Sequence, residues 1–215
     1  MNNHRFSFCG SSLEACPTGI LWMPEERVLC VSDLHLGKSD RMARRGNALL
    51  PPYETLDTLA RLASEITRYN PRCVICLGDS FDDLVAVDAM TDPDNALLAS
   101  MQAGREWVWI EGNHDPGPVG IGGAHMAEIT VNGLNFCHIA TVRRAEISGH
   151  YHPKHSVSGS SARACFVYDA DRLILPAFGT FTGGLRVSDP VLRRQFGKEA
   201  AVVLTGRRAI PVPLQ

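Results

Sequence analysis

Eleven residues able to hold a metal or move a proton fall in five short motifs, each following an apolar run. CVSDLHLG supplies Asp33 and His35, and CLGDSFDD supplies Asp79, Asp82 and Asp83. WIEGNHD supplies Asn113, His114 and Asp115, NFCHIA supplies His138, and EISGHYHP supplies His150 and His152. Asp, His and Asn are oxygen and nitrogen ligands of intermediate hardness, suited to manganese, iron or zinc. A single DxH or GNH arises by chance in many proteins, and one histidine on a strand is more often packed than bound to an ion. Five such motifs in series demand a joint explanation. In α/β sheets, ligands bind where the carboxyl ends of strands converge, so five strand ends imply one site. Asp33 and His35 are two apart, as are His150 and His152. On an extended strand that spacing turns both side chains to one face.

These motifs need strands to carry them. Residues 27–31 (RVLCV), 73–77 (CVICL) and 107–110 (WVWI) are apolar runs of strand length. Between them, 53–69 follows Pro51 and Pro52 and places Leu56, Leu59, Ala63 and Ile66 at helical spacing. A second helix is predicted over 94–104. The resulting βαβαβ order predicts a parallel sheet with covering helices. The second half differs. An Asn132-Gly133 turn joins two apolar segments over 128–138, which predicts a hairpin. Short strands follow at 145–148, 164–168, 172–175 and 200–204. The expected product is two packed sheets, mixed and then mostly antiparallel, with helices outside.

Composition sets the limits. The 215 residues suit one domain, and 45% hydrophobic with 20% charged content excludes disorder, collagen-like repeats and coiled coils. A formal charge of −2 excludes a general polycation, so nucleic-acid contact must rest on a local patch or on bound metal. No apolar run reaches the roughly 18 residues of a membrane span. The N-terminus MNNHRFSFCGSS lacks the basic start and apolar core of a secretory signal. The seven cysteines are scattered. Cys73 and Cys76 form a CxxC within a strand pattern, with no second pair to complete a zinc site, and read as core residues. A reducing cytoplasm is the expected compartment. The Gly/Pro-rich 115–123 and Ser-rich 156–162 stretches are too short to separate domains.

The ordered set D-x-H, G-D-x-x-D, G-N-H-D, H and G-H-x-H resembles the signature of the calcineurin-like metallophosphoesterases over residues 33–152. A narrower resemblance covers nearly the whole chain. SDLHLGK, ARRG at 43–46, LLPPY at 49–53, GHYHPK at 149–154 and LILPAFGTFTGGL at 173–185 are similar to the bacterial ligase-associated DNA damage response endonucleases of the PdeM type. The resemblance implies a single domain over 1–215, an α/β four-layer α-β-β-α sandwich of two mixed sheets with flanking helices. It implies two divalent metal ions, Mn2+ foremost, with Fe, Zn or Mg as alternatives. Asp33, His35 and His152 would hold the first, and Asn113, His138 and His150 the second. Asp79 would bridge them. A hydroxide between the ions would attack phosphorus in line, and His114 would protonate the leaving group. Asp82 would orient that histidine and raise its pKa. The implied substrate is DNA in a bacterial repair pathway. The implied partners are an ATP-dependent DNA ligase and a helicase, without a membrane.

Substrate contacts are less sharply marked. Lys38, Arg41, Arg44 and Arg45 follow the first ligand motif, while Arg143, Arg144 and Lys154 lie near the later ones. Each alone reads as a solvated charge. Around one cleft they could neutralise a nucleic-acid backbone. Tyr53 either stacks on a base or packs at the helix entry. The TFTGG segment at 180–184 is either a glycine turn near the site or turn chemistry alone. Asp83 and Asp115 either buttress the ligands or are solvated loop residues. Two other functions stay open: a phosphodiesterase or phosphatase on small substrates such as cyclic nucleotides, nucleotide pyrophosphates or phosphoprotein, and a catalytically silent scaffold. The chain has no long insertion to build a groove, which a homodimer could supply from two copies.

Overall fold

The computed structural model describes residues 2–47, 49–117, 120–157 and 160–214. Positions 118–119 and 158–159 of the two linker-like stretches lie outside the described residues. The first sheet opens as an antiparallel meander of β1 (His4–Phe8), β2 (Ser11–Ala15), β3 (Leu21–Met23) and β4 (Val28–Val31). It continues in parallel through β5 (Cys73–Leu77), β6 (Glu106–Ile110) and β7 (Ala124–Met126). Val31 stands opposite Cys76, and Leu77 opposite Ile110, so β4, β5 and β6 end level with one another. Between them run α1 (Lys38–Arg44), α2 (Glu54–Tyr69), α3 (Leu84–Asp88) and α4 (Asp92–Gln102). The meander of β1 to β3 lies outside the βαβαβ pattern read from the sequence.

The second sheet starts with the expected hairpin, β8 (Glu128–Val131) and β9 (Leu134–Cys137), turned by Asn132 and Gly133. β10 (Glu146–Ser148) lies parallel to β9 and to β13 (Arg172–Ile174). β12 (Arg163–Tyr168), β14 (Ala201–Leu204) and β15 (Ile210–Pro213) extend it antiparallel, and the two-residue β11 (Lys154–His155) pairs with β12.

Apolar burial fixes the layers. Leu21, Cys30, Ile75 and Leu77 of the first sheet pack on Phe136, Ile147, Phe166 and Leu173 of the second. The outer face of the first sheet, Val74, Cys76, Trp107 and Trp109, is covered by Leu59, Leu62 and Ile66 of α2 and Leu98 and Met101 of α4. Leu56, expected on the buried stripe of α2, lies off it and is exposed. The stripe is instead built on Leu59, Leu62 and Ile66, with Thr58 and Glu65 beside them. The second sheet's outer face is covered by Val187, Leu192 and Phe196, around the four-residue α5 (Pro190–Arg193). The order is thus α-β-β-α with a thin fourth layer.

Cys73 faces the inter-sheet core and Cys76 the helices, so the CxxC points its thiols to opposite faces. All seven cysteines are free thiols. Among the described residues, no helix is long and apolar enough to cross a membrane.

Candidate metal centre

The five motifs meet beyond the ends of β4, β5, β6, β9 and β10. The loops keep pairing after the strands stop: His35 N–H donates to the Asp79 carbonyl at 3.0 Å, and Leu36 N–H to the Ser80 carbonyl at 2.9 Å. Asp33, His35, Asp79, His150 and His152 all have φ between 46° and 68°. This corrects the strand-spacing expectation. The paired ligands converge because alternate residues take left-handed backbone, which only a well-braced loop holds for residues other than glycine.

Asp33, His35 and His152 bring their ligating atoms within 4.8 Å of one another. Asp33 is fully buried. Its Oδ2 accepts from the Ser32 hydroxyl at 2.5 Å and from His150 N–H at 3.0 Å. Its Oδ1 receives no hydrogen bond among the described residues, yet lies 3.0 Å from His152 Nε2. His152 Nε2 is 3.4 Å from His35 Nε2. A buried carboxylate oxygen and two ring nitrogens aimed at one point form a donor set for a cation.

The second group is Asp79, His138 and His150, again within 4.8 Å. His138 Nδ1 is 2.8 Å from the Leu77 carbonyl, which can only accept, so that nitrogen carries the proton. Its Nε2 is therefore a lone pair in the neutral ring. It faces Asp79 Oδ2 at 3.3 Å, Asn113 Oδ1 at 3.0 Å and His150 Nδ1 at 3.2 Å. Burial alone would lower the His138 pKa, but Asp79 outweighs it and raises it. Both groups fit divalent ions with nitrogen and oxygen ligands. Asp79 also shares a third cluster with His35 and His114, which places it between the two sets as a bridge would stand.

One carboxylate braces these loops. Asp115 is buried and accepts from the N–H groups of Asp79, Ser80, Phe81 and Gly112 at 2.8–3.2 Å. Desolvation pushes its pKa up to about 6, with Asp79 adding to the rise, although the N–H donors act to lower it. The motif glycines leave the room these contacts need. A Cβ at Gly112 would overlap Asp79 and Asp115, and one at Gly149 would overlap Ser32 and Asp33. Asp115→Ala leaves four N–H groups without their acceptor and is expected to cost at least about 3 kcal/mol in urea unfolding. A loss below about 0.5 kcal/mol, the scale of an unremarkable surface change, would show that Asp115 is not a brace.

His114 and Asp82 depart from expectation in their pairing. His114 Nδ1 is 2.7 Å from the backbone carbonyl of Asp82, and its own N–H donates to Asp79 Oδ1 at 2.8 Å. The Asp82 carboxylate turns the other way. Its Oδ1 lies 2.7 Å from His35 Nδ1, and its Oδ2 accepts from Arg41 at 2.8 Å. The reason is local: Asp82 N–H bonds the Leu36 carbonyl, which swings the side chain toward the first loop. Burial would raise the Asp82 pKa, but His35 and Arg41 hold it down at about 2. The Asp82 carboxylate thus lies against Nδ1 of His35, on the far side of the ring from the Nε2 that faces His152.

A cleft of about 240 Å³ lined by Arg41, Arg45, Asp82, Asp83, Asn113 and His114 opens on one side of the centre. A second, of about 320 Å³, runs from Asn113 and His138 to Arg143. Of the other candidate cations, Arg44 is held by Asp40 and Asp83. Asp83 caps α3 as well, through the Ala86 N–H, so it is a structural anchor. Lys38 begins α1, Lys154 Nζ donates to the Thr182 carbonyl at 3.3 Å, and Arg144 pairs with Asp171. The 179–184 segment adjoins the centre. Gly179 N–H donates to the Asp33 carbonyl at 3.0 Å, and Gly184 packs on the His152 carbonyl. Ser32 and the Asp82–His35 contact were not read from the sequence. The only signal for either was adjacency to a ligand motif.

Comparison with known proteins gives the same address. No curated protein matches the sequence. Among solved structures, the chain is similar to the Pseudomonas putida nuclease MPE. The two are 25% identical with a TM-score of 0.77, over 98% of this chain and 100% of that one. The model of the calcineurin-like phosphoesterases matches residues 26–178, from just before β4 to Phe178, next to the segment that adjoins the centre. With the motifs, the sandwich and the match in agreement over most of its length, the chain belongs to the calcineurin-like phosphoesterase family.

Proposed function

We propose that this chain is a single-domain, two-metal phosphodiesterase that cuts DNA in a bacterial repair setting. The observation that carries the reading is the pair of ligand groups linked through Asp79, with His114 beside the joint and Arg41 and Arg45 in the adjoining cleft. Asp33, His35 and His152 would hold one ion, and Asn113, His138 and His150 the other. Bound divalent ions would neutralise charge on the phosphate and activate water for in-line attack. Mn2+ is the proposed native metal.

The chain's own residues divide the remaining work. Asp82 keeps His35 in the tautomer that faces the centre. The Asp82 carbonyl holds the His114 ring through Nδ1, so Nε2 is the atom from which a proton passes to the leaving oxygen. Arg41 and Arg45 line the cleft where the phosphodiester strand enters, whereas Arg143 on the opposite side is held by Glu128. The likeness to a nuclease supports a nucleic-acid substrate. The repair setting, with a DNA ligase and a helicase as partners, rests on the sequence resemblance. The seven free thiols suit a cytoplasmic location.

The test is a substrate panel in Mn2+, with and without chelator: single-stranded DNA, duplex DNA, RNA, 2′,3′-cyclic nucleotides and a phosphopeptide. Chelator-sensitive cleavage of DNA is the expected result. Cleavage of cyclic nucleotides alone would replace the DNA reading with a small-substrate one.

A further inference from the structure

Two aromatic rings stand in solvent beside the first ligand group, and their mounting is unusual. Tyr53 is 54% exposed at the entry of α2, and Phe181 is 41% exposed in the segment between β13 and α5. The rings meet edge to face with centroids 5.7 Å apart. Phe181 has φ of 59°, a conformation that bulky side chains avoid. Nothing in its own burial compensates for this, because the ring remains at the surface.

The neighbours hold it there. Thr180 N–H donates to Thr58 Oγ1 at 3.1 Å, and its hydroxyl donates to Asp57 Oδ2 at 2.5 Å. Arg61 reaches the Phe178 carbonyl at 2.6 Å and Thr180 Oγ1 at 3.0 Å. On the other side, the Thr182 hydroxyl donates to the Gly179 carbonyl, and Lys154 donates to the Thr182 carbonyl. The backbone that carries the exposed ring is thus fixed on both flanks. It is two residues from Gly179, bonded to the Asp33 carbonyl, and three from Gly184, packed on the His152 carbonyl. Two Cα steps span at most about 7–8 Å, so Phe181 lies within the reach of one nucleotide from the ligand loops.

An exposed aromatic on a braced backbone, with Lys154 on the same segment and the ligand loops within reach, suits a planar base. Resting on the nuclease reading, we infer that Tyr53 and Phe181 form a stacking platform for an unpaired base of single-stranded DNA. The platform presents the adjacent phosphate to the metal centre. Stacking favours bases already out of a duplex, because a paired base must first leave its own stack. Edge-to-face contact uses at most one face of one ring, so the platform keeps a free face for the base. Lys154 supplies positive charge along the same segment.

The experiment compares wild type, Tyr53→Ala, Tyr53→Phe and Phe181→Gly, all Mn2+-loaded, on three substrates. These are a labelled single-stranded oligonucleotide, the same strand with abasic linkers, and bis-p-nitrophenyl phosphate. Expected for Tyr53→Ala and Phe181→Gly is a loss of about 5- to 100-fold in kcat/KM on the natural strand, carried mainly by KM. The abasic strand and the chromogenic diester should change less than twofold, and Tyr53→Phe should match wild type. Phe181→Gly should melt at or above the wild-type temperature, since glycine accepts the left-handed backbone, so lost cleavage would not reflect lost folding. Wild-type cleavage of single-stranded DNA with both variants unchanged overturns the platform alone. A wild type that cleaves the chromogenic diester but no nucleic acid overturns the nuclease reading, and the platform with it.

Discussion

Asp79→Asn is expected to lower phosphodiester hydrolysis by at least about a thousandfold and to leave fewer than two metals on each chain. Asp79 belongs to the second ligand group with His138 and His150, and a further cluster with His35 and His114 links it to the first. Burial would make its carboxylate easier to protonate, yet His138 and the His114 N–H outweigh this and hold its pKa far below the ordinary range. It is therefore an anion at the place where a ligand shared by two metal ions would stand. Asparagine keeps an oxygen for the His114 N–H and nearly the same shape, so the loops survive while the charge is lost. Elemental analysis after dialysis, paired with rates on bis-p-nitrophenyl phosphate, checks both parts. Two tightly held metals and near-normal rates in the variant would refute a bridging role.

His114→Asn is expected to act differently. Both metals stay, and kcat falls by about 10²- to 10⁴-fold on DNA, whose alkoxide leaving group needs a proton. On bis-p-nitrophenyl phosphate, whose leaving group is weakly basic, the loss should be under tenfold. That contrast separates a proton donor from a metal ligand, and the distinction matters because His114 lies within ligand reach of His35 and Asp79. Falling metal content would make it a ligand. Asp82→Asn supplies the comparison. Its carboxylate touches His35 and Arg41, so the variant should loosen metal by about 10- to 100-fold without any dependence on the leaving group.

The ligands were legible because chemistry restricts the residue types: few side chains hold a divalent ion, and each one here follows an apolar strand. Their mode of convergence was not legible. Side-chain period reports on extended strands, and Asp33, His35, His150 and His152 lie past the strand ends in left-handed backbone. The partner of the Asp82 carboxylate was hidden for a related reason, since a hydrogen bond from its backbone to Leu36 decides which histidine it meets. Among elements, α1 buries no residue and so leaves no apolar stripe to read. β15 is IPVP at the sheet edge, where two prolines disguise a strand that needs few donors. β1 and β2 alternate faithfully, but with Ser11 among the buried positions.

The left-handed backbone at five ligand positions bears on how this protein can change over time. At about 1 kcal/mol each, these conformations together cost about 5 kcal/mol, the lower end of a typical domain's net stability of ~5–15 kcal/mol. Glycine would relieve the cost at every one of them and delete a ligand each time. Selection for a sturdier protein thus has no room to act where relief is greatest. It must work in the two sheets and the α2–α4 layer, whose packing underwrites the tension at the centre. Lineages that abandon the chemistry would be free to relax these five positions first, so decay of function should leave its earliest trace in backbone preference rather than in the core.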